Sequence, residues 1–97
     1  MSEQAAAEPY KLRTTPTVRR ALSERLPEAV AVAAYEFMTG PLIREPYRVG
    51  KQLLPPLEDR FSARRGTYRI VYRIDDTTRT VTVTVTVVDH RRDIYRA

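Results

Sequence analysis

At 97 residues and a formal charge of +5, the chain is sized for one domain around one modest core, with a basic balance that favours an anionic partner. It has no cysteine and one histidine, which excludes disulfides, thiolate chemistry and a cysteine-ligated zinc, and offers no ligand cluster for a metal. No apolar run is long enough to span a bilayer, and the first eight residues lack the basic and apolar regions of a signal peptide, so a soluble, cytoplasmic protein without a membrane partner is expected.

Residues 1–8 are polar and alanine-rich and read as a disordered tail ahead of a single domain over residues 9–97. Tyr10 to Thr14 suits a short first strand. Thr15 and Pro16 then supply an N-cap and a proline at the first helical position. Val18, Leu22 and Leu26 recur four apart and predict an apolar helical stripe, broken at Pro27. Glu28 opens a second helix in which Val30, Ala33, Ala34 and Phe37 repeat the spacing, and Gly40-Pro41 stops it. Together these segments predict an αα-hairpin.

Pro41, Pro46, Pro55 and Pro56, with Gly40 and Gly50, forbid long regular elements between Pro41 and Pro56, where a connecting loop is expected. Leu57 to Arg64 alternates as a strand, Arg65-Gly66 reads as a hairpin turn, and Tyr68, Ile70, Tyr72 and Ile74 form one face of the next strand. Asp75 to Thr78 is a second turn, its paired carboxylates better read as turn chemistry than as catalysis. Arg79 to Val88 is a third strand, with Val81, Val83, Val85 and Val87 opposite Thr80, Thr82, Thr84 and Thr86. The pattern predicts an α+β fold: an N-terminal strand and an αα-hairpin packed on a mainly antiparallel sheet, in the order β-α-α-β-β-β.

Such a sheet has two unlike faces. Phe61, Tyr68, Ile70 and Ile74 cover the helices, and Arg60, Ser62, Arg64, Arg69 and Arg73 fall on or near the open side. Residues 1–50 hold seven basic and six acidic side chains, residues 51–97 ten and six, and fifteen of the seventeen basic residues are arginines. The guanidinium fork matches phosphate oxygens, so arginines set on rigid strands suit a polyanion, RNA in the first instance. The alternative is that they solubilise the sheet and pair with Glu58, Asp75 or Asp76.

The string Leu57-Glu58-Asp59-Arg60-Phe61-Ser62-Ala63-Arg64-Arg65-Gly66-Thr67-Tyr68-Arg69-Ile70-Val71-Tyr72 and the ending Val88-Asp89-His90-Arg91-Arg92-Asp93-Ile94-Tyr95 resemble the RelE/ParE superfamily of bacterial toxins. The resemblance runs from about Tyr10 to Arg96. It implies the RelE/ParE toxin fold and a toxin of a type II toxin-antitoxin system. Its RelE branch implies a ribosome-dependent endoribonuclease that cleaves mRNA in the A site and inhibits translation, without metal or cofactor. Its partners are then a cognate antitoxin, mRNA and the ribosome. The ParE branch implies the alternative, inhibition of DNA gyrase without nuclease activity.

On the RelE reading the ribose 2′-hydroxyl attacks the adjacent phosphorus and expels the 5′-oxygen, which needs a base, cations for the charged centre and an acid. By resemblance, Arg69 and Arg91 stabilise the transition-state charge, and Tyr95 stacks on a base and orients the 2′-hydroxyl. Arg60, Arg64, Arg65 and Lys51 form the RNA-binding and phosphate-binding set. The chain carries Arg60 and Ser62 where the best-known RelE pattern has lysines, and an arginine is hard to deprotonate. His90, the only histidine and the only side chain that ordinarily titrates near neutrality, therefore joins the catalytic set; its alternative is to cap a strand or pair with Asp89 or Asp93. Tyr95 likewise has the alternative of packing with Ile94 on the sheet edge.

Overall fold

Thr15 and Pro16 decide where the first helix begins: the Thr15 side-chain oxygen accepts from the Val18 N–H at 3.2 Å, and Pro16 occupies a position whose N–H has no helical partner. The computed structural model describes residues 8–88. The first strand, β1, covers Lys11–Thr14, and α1 covers Pro16–Arg20 before opening into a π-helical turn over Ala21–Arg25. That turn closes when the Leu26 N–H donates to the Ala21 carbonyl at 2.9 Å, after which Leu26 turns extended, as a residue before proline must. Replacing Thr15 with alanine should lower stability by about 1 kcal/mol, read as a shifted denaturation midpoint at constant slope.

Helix α2 runs from Glu28 to Thr39. It buries Ala34, Phe37 and Met38; Val30 is only partly buried and Ala33 is exposed, so the core stripe is shifted toward Met38. The stretch expected to be a plain loop contains a one-turn helix, α3 (Pro41–Arg44), that buries Leu42, and a two-residue strand, β2 (Lys51–Gln52). β2 is short because Pro55 and Pro56 have no N–H to give a ladder.

The remaining strands are β3 (Phe61–Arg65), β4 (Tyr68–Asp75) and β5 (Thr80–Val88), and the sheet order is β1-β5-β4-β3-β2. Every neighbour is antiparallel except β1 with β5, so the predicted α+β architecture and mainly antiparallel sheet are present. Three boundaries differ from expectation. β3 starts at Phe61, since residues 57–60 form a turn closed by the Arg60 N–H on the Leu57 carbonyl at 3.0 Å. Arg65 belongs to the strand opposite Tyr68, and Gly66, with φ +57°, begins the turn. Arg79 adopts φ +52° outside the strand, while the Asp75 carboxylate accepts from the Thr77 and Thr78 N–H groups.

Val18, Ala34, Phe37, Met38 and Leu42 pack on Ala63, Tyr68, Ile70, Tyr72, Val81 and Val83. Each larger apolar side chain buried there contributes about 1.5–3 kcal/mol. The uniform Val/Thr alternation of β5 does not survive folding: the β4–β5 register shifts between Val71 and Tyr72, which pair with Val85 and Val83 and leave Thr84 as an extra residue. Past this bulge the faces exchange. Thr86 turns into the core, and Val85 and Val87 come to the open face, 40% and 45% exposed. No helix among the described residues is long and apolar enough to cross a membrane.

Candidate active site

The β3–β4 ladder sets Arg64 directly opposite Arg69. Side chains so paired have Cβ atoms about 4.5–5.5 Å apart, a repulsive arrangement for two like charges that a bridging anion relieves. β2 adds Lys51 opposite Ser62 on the same face. The result is a groove of about 710 Å³ whose lining includes Arg48, Lys51, Leu54, Arg64, Arg65 and Arg69. Arg69 is half-buried, and its guanidinium has no hydrogen-bond or ion-pair partner among the described residues. Val71 and the bulge-turned Val85 and Val87 lie beside it on the open face, with Val87 paired to Arg69 itself. This apolar patch flanks Arg69 on its β5 side and lowers the local dielectric there, which strengthens the attraction between its charge and a phosphate.

Three residues of the expected phosphate-binding set, Lys51, Arg64 and Arg65, thus share this groove with Arg69 of the expected catalytic set. Arg60 does not. It stands four residues before Arg64, about 13 Å along the strand direction, with its Nε 3.8 Å from the Asp59 carboxylate that also approaches the Arg73 Nε at 3.6 Å. Arg65 lines the groove but its guanidinium lies 4.7 Å from the Phe37 ring centre on the helical side. His90, Arg91 and Tyr95 lie outside the described residues; Val88, the last described residue of β5, pairs with Tyr68, next to Arg69 in β4. Sequence reasoning passed over Arg48, for which the signal was the basic pair flanking Val49-Gly50, and over the valine patch beside Arg69, for which there was none.

One wall of the groove is the chain from Arg48 to Leu54, and aromatic chemistry fixes the segment that leads into it. The buried Tyr72 hydroxyl donates to the Pro46 carbonyl at 2.6 Å, and its ring stacks on Phe61 with centroids 5.7 Å apart. Tyr47 packs edge-on against Phe61, and its hydroxyl donates to Asp76, which also accepts from the Tyr10 hydroxyl at 2.6 Å. These bonds from Tyr10 and Tyr47 hold the Asp76 carboxyl below its usual range. The bond to Asp76 pushes the Tyr47 hydroxyl up to about 12, and burial pushes Tyr72 up to about 12.

The signs are opposite at the two ends of the pH scale. A depressed Asp76 contributes stability that is present above its unfolded pKa and lost as pH falls through the folded one. Raised Tyr47 and Tyr72 contribute stability that is complete below pH 10 and lost as pH rises toward 12. Thermal midpoints should therefore decline from pH 10 to 12, less steeply in Tyr72→Phe; an unchanged slope in that variant would remove Tyr72 from the account.

The chain matches, over residues 2–95, the family described as the ParE toxin of the type II toxin-antitoxin system parDE. It is 54% identical over 88 residues to Toxin RelG of Mycobacterium tuberculosis, covering 91% of this chain and 98% of that protein. With Toxin RelE of the same organism it shares 53% identity over 68 residues, 70% of this chain and 69% of that one. The toxin–antitoxin complex RelBE2 from Mycobacterium tuberculosis contains a chain of 50% identity and TM-score 0.78, matched over 82% of this chain and 91% of that one. The isolated E. coli RelE toxin, at 19% identity, shares the fold with a TM-score of 0.70 over 90% and 92% of the two chains. With a family match over nearly its whole length and a relative identical at more than half of the aligned positions, the chain belongs to the ParE toxin family of type II toxin-antitoxin systems and is a RelE-like toxin.

Proposed function

We propose that this toxin is a ribosome-dependent endoribonuclease that cuts mRNA in the A site and is held inactive by a cognate antitoxin. The observation that carries the reading is the opposed pair Arg64 and Arg69 beside Lys51 in one groove, with an apolar patch flanking Arg69. A phosphodiester seated between the two guanidinium groups gains charge as the 2′-oxygen adds to phosphorus, and donors already in place act where that charge develops. The 2′-hydroxyl proton passes to a base and the departing 5′-oxygen receives a proton, leaving a cyclic phosphate on the upstream fragment. His90 and Tyr95 are assigned to these transfers and Arg91 to the phosphorus centre.

An antitoxin partner is supported by the solved relative from Mycobacterium tuberculosis, which is a chain of the toxin–antitoxin complex RelBE2. The second reading, gyrase inhibition, is favoured by the family's ParE description. Primer extension on translating ribosomes separates the two. Cuts within codons, absent when ribosomes are omitted, are expected; intact message together with blocked supercoiling would assign the toxin to gyrase instead.

A further inference from the structure

Arg65 lines the groove, yet its guanidinium is engaged on the protein side. One terminal nitrogen donates to the Val49 carbonyl at 3.0 Å and the other to the Arg64 carbonyl at 2.9 Å, while the guanidinium carbon lies 4.7 Å from the Phe37 centroid. Three elements meet in one side chain: helix α2, the end of β3 and the segment leading into β2. Its charge also reaches the Tyr68 and Tyr72 hydroxyls, pulling both down against the effect of burial.

The segment it holds carries Lys51, two residues beyond Val49. The same segment is fixed from below by the Tyr72 hydroxyl on Pro46, and Gly50 is pressed against Tyr72 and the Ser62 carbonyl. From above, among the described residues, Arg65 is the only side chain that donates to the backbone between Arg48 and Lys51. We propose that Arg65 is a positioning residue: it braces the 48–51 segment against the β3–β4 hairpin, so that Lys51 faces the same phosphate as Arg64 and Arg69, rather than binding that phosphate itself. This rests on the RNA-binding reading of the groove.

The chemistry distinguishes a brace from a phosphate contact. A fork spanning two carbonyls and stacked on an aromatic ring is not replaced by lysine, whereas a point charge opposite a phosphate largely is. A lost phosphate contact also reduces the salt dependence of single-strand binding, by about 0.7 in the log–log slope. A lost brace leaves the number of phosphate contacts unchanged when Lys51 still reaches its site part of the time.

The test uses the full chain as wild type, Arg65→Met, Arg65→Lys and Lys51→Ala, with the Arg65→Met/Lys51→Ala double variant. Methionine keeps an apolar stem over Phe37 and removes the donors. Amide hydrogen exchange in peptides spanning residues 46–53 should quicken in Arg65→Met without RNA present. Binding of a fluorescein-labelled single-stranded RNA should weaken on the order of tenfold in both Arg65 variants, with an unchanged salt slope, and by far less when Lys51 is already alanine. A merely structural role would be additive with Lys51→Ala. Unchanged exchange, full rescue by lysine, or a slope reduced by about 0.7 overturns the proposal. If exchange quickens but the wild type binds no RNA, the brace stands and the RNA reading falls.

Discussion

Arg69→Ala is expected to slow mRNA cleavage by about 10²–10³-fold with little change in thermal midpoint, because it removes a preorganised donor from the point where charge develops. The half-buried guanidinium has no hydrogen-bond or ion-pair partner among the described residues, so its loss breaks no observed bond of the fold. Arg69→Lys should recover only part of the rate, since the charge returns without the two-pronged geometry. Arg73→Ala is the control. Its partner is Asp59, away from the groove, and an exposed ion pair of that kind is worth about 0–1 kcal/mol. Single-turnover cleavage on programmed ribosomes measures all three, and an Arg69→Ala enzyme as fast as wild type would remove Arg69 from the site.

Gly50→Ala is expected to destabilise the protein by about 1–3 kcal/mol, the usual range for overpacking. A Cβ at this position would stand 2.3 Å from the Tyr72 hydroxyl oxygen and 2.9 Å from the Ser62 carbonyl oxygen. Neither can yield freely: the hydroxyl is tied to Pro46 and the carbonyl belongs to a strand paired on both sides. In a domain of this size each kcal/mol moves the thermal midpoint by about 4–8 °C, so the effect is readily measured. Tyr72→Phe removes the nearer collision but leaves the buried Pro46 carbonyl without its partner, at about 1–3 kcal/mol. The double variant should therefore lose less than the sum of the two. Strict additivity would show that the hydroxyl does not press on Gly50 in solution.

Gly50 also shows why the site was only partly legible. Its spacing from Lys51 is visible in the sequence, but the need for a missing Cβ arises from Tyr72, twenty-two positions away. Arg64 and Arg69 were readable as an anion site because local alternation on two adjacent strands places them and the hairpin turn sets their register, whereas Lys51 reaches them through β2, inside the expected loop. Arg60 belongs to the same alternating string and was grouped with them. The turn over residues 57–60 ends the strand before it reaches Arg60, and Asp59 engages it there. Arg65 was read as a phosphate ligand from its charge alone; its bonds to Val49 and Arg64 and its place over Phe37 depend on how α2 and the 46–53 segment pack.

Local signals in the sequence set the types and order of the main elements, though not α3 or β2, through capping at Thr15, helical stripes broken by Pro27 and Gly40, and period-two alternation after Phe61. These are interactions among near neighbours in the chain, which composition and spacing record directly. Only the tertiary structure decided which faces meet. In β5 valine and threonine alternate almost without fault, and both sets fit a strand, so nothing local marks Thr84 as the residue to be left out of register. The bulge against β4 makes that choice: it sends Thr86 inward and brings Val85 and Val87 to the face carrying Arg69. Strand pairing thus turned a row of arginines into a groove and set Val87, eighteen positions on in the chain, directly beside Arg69.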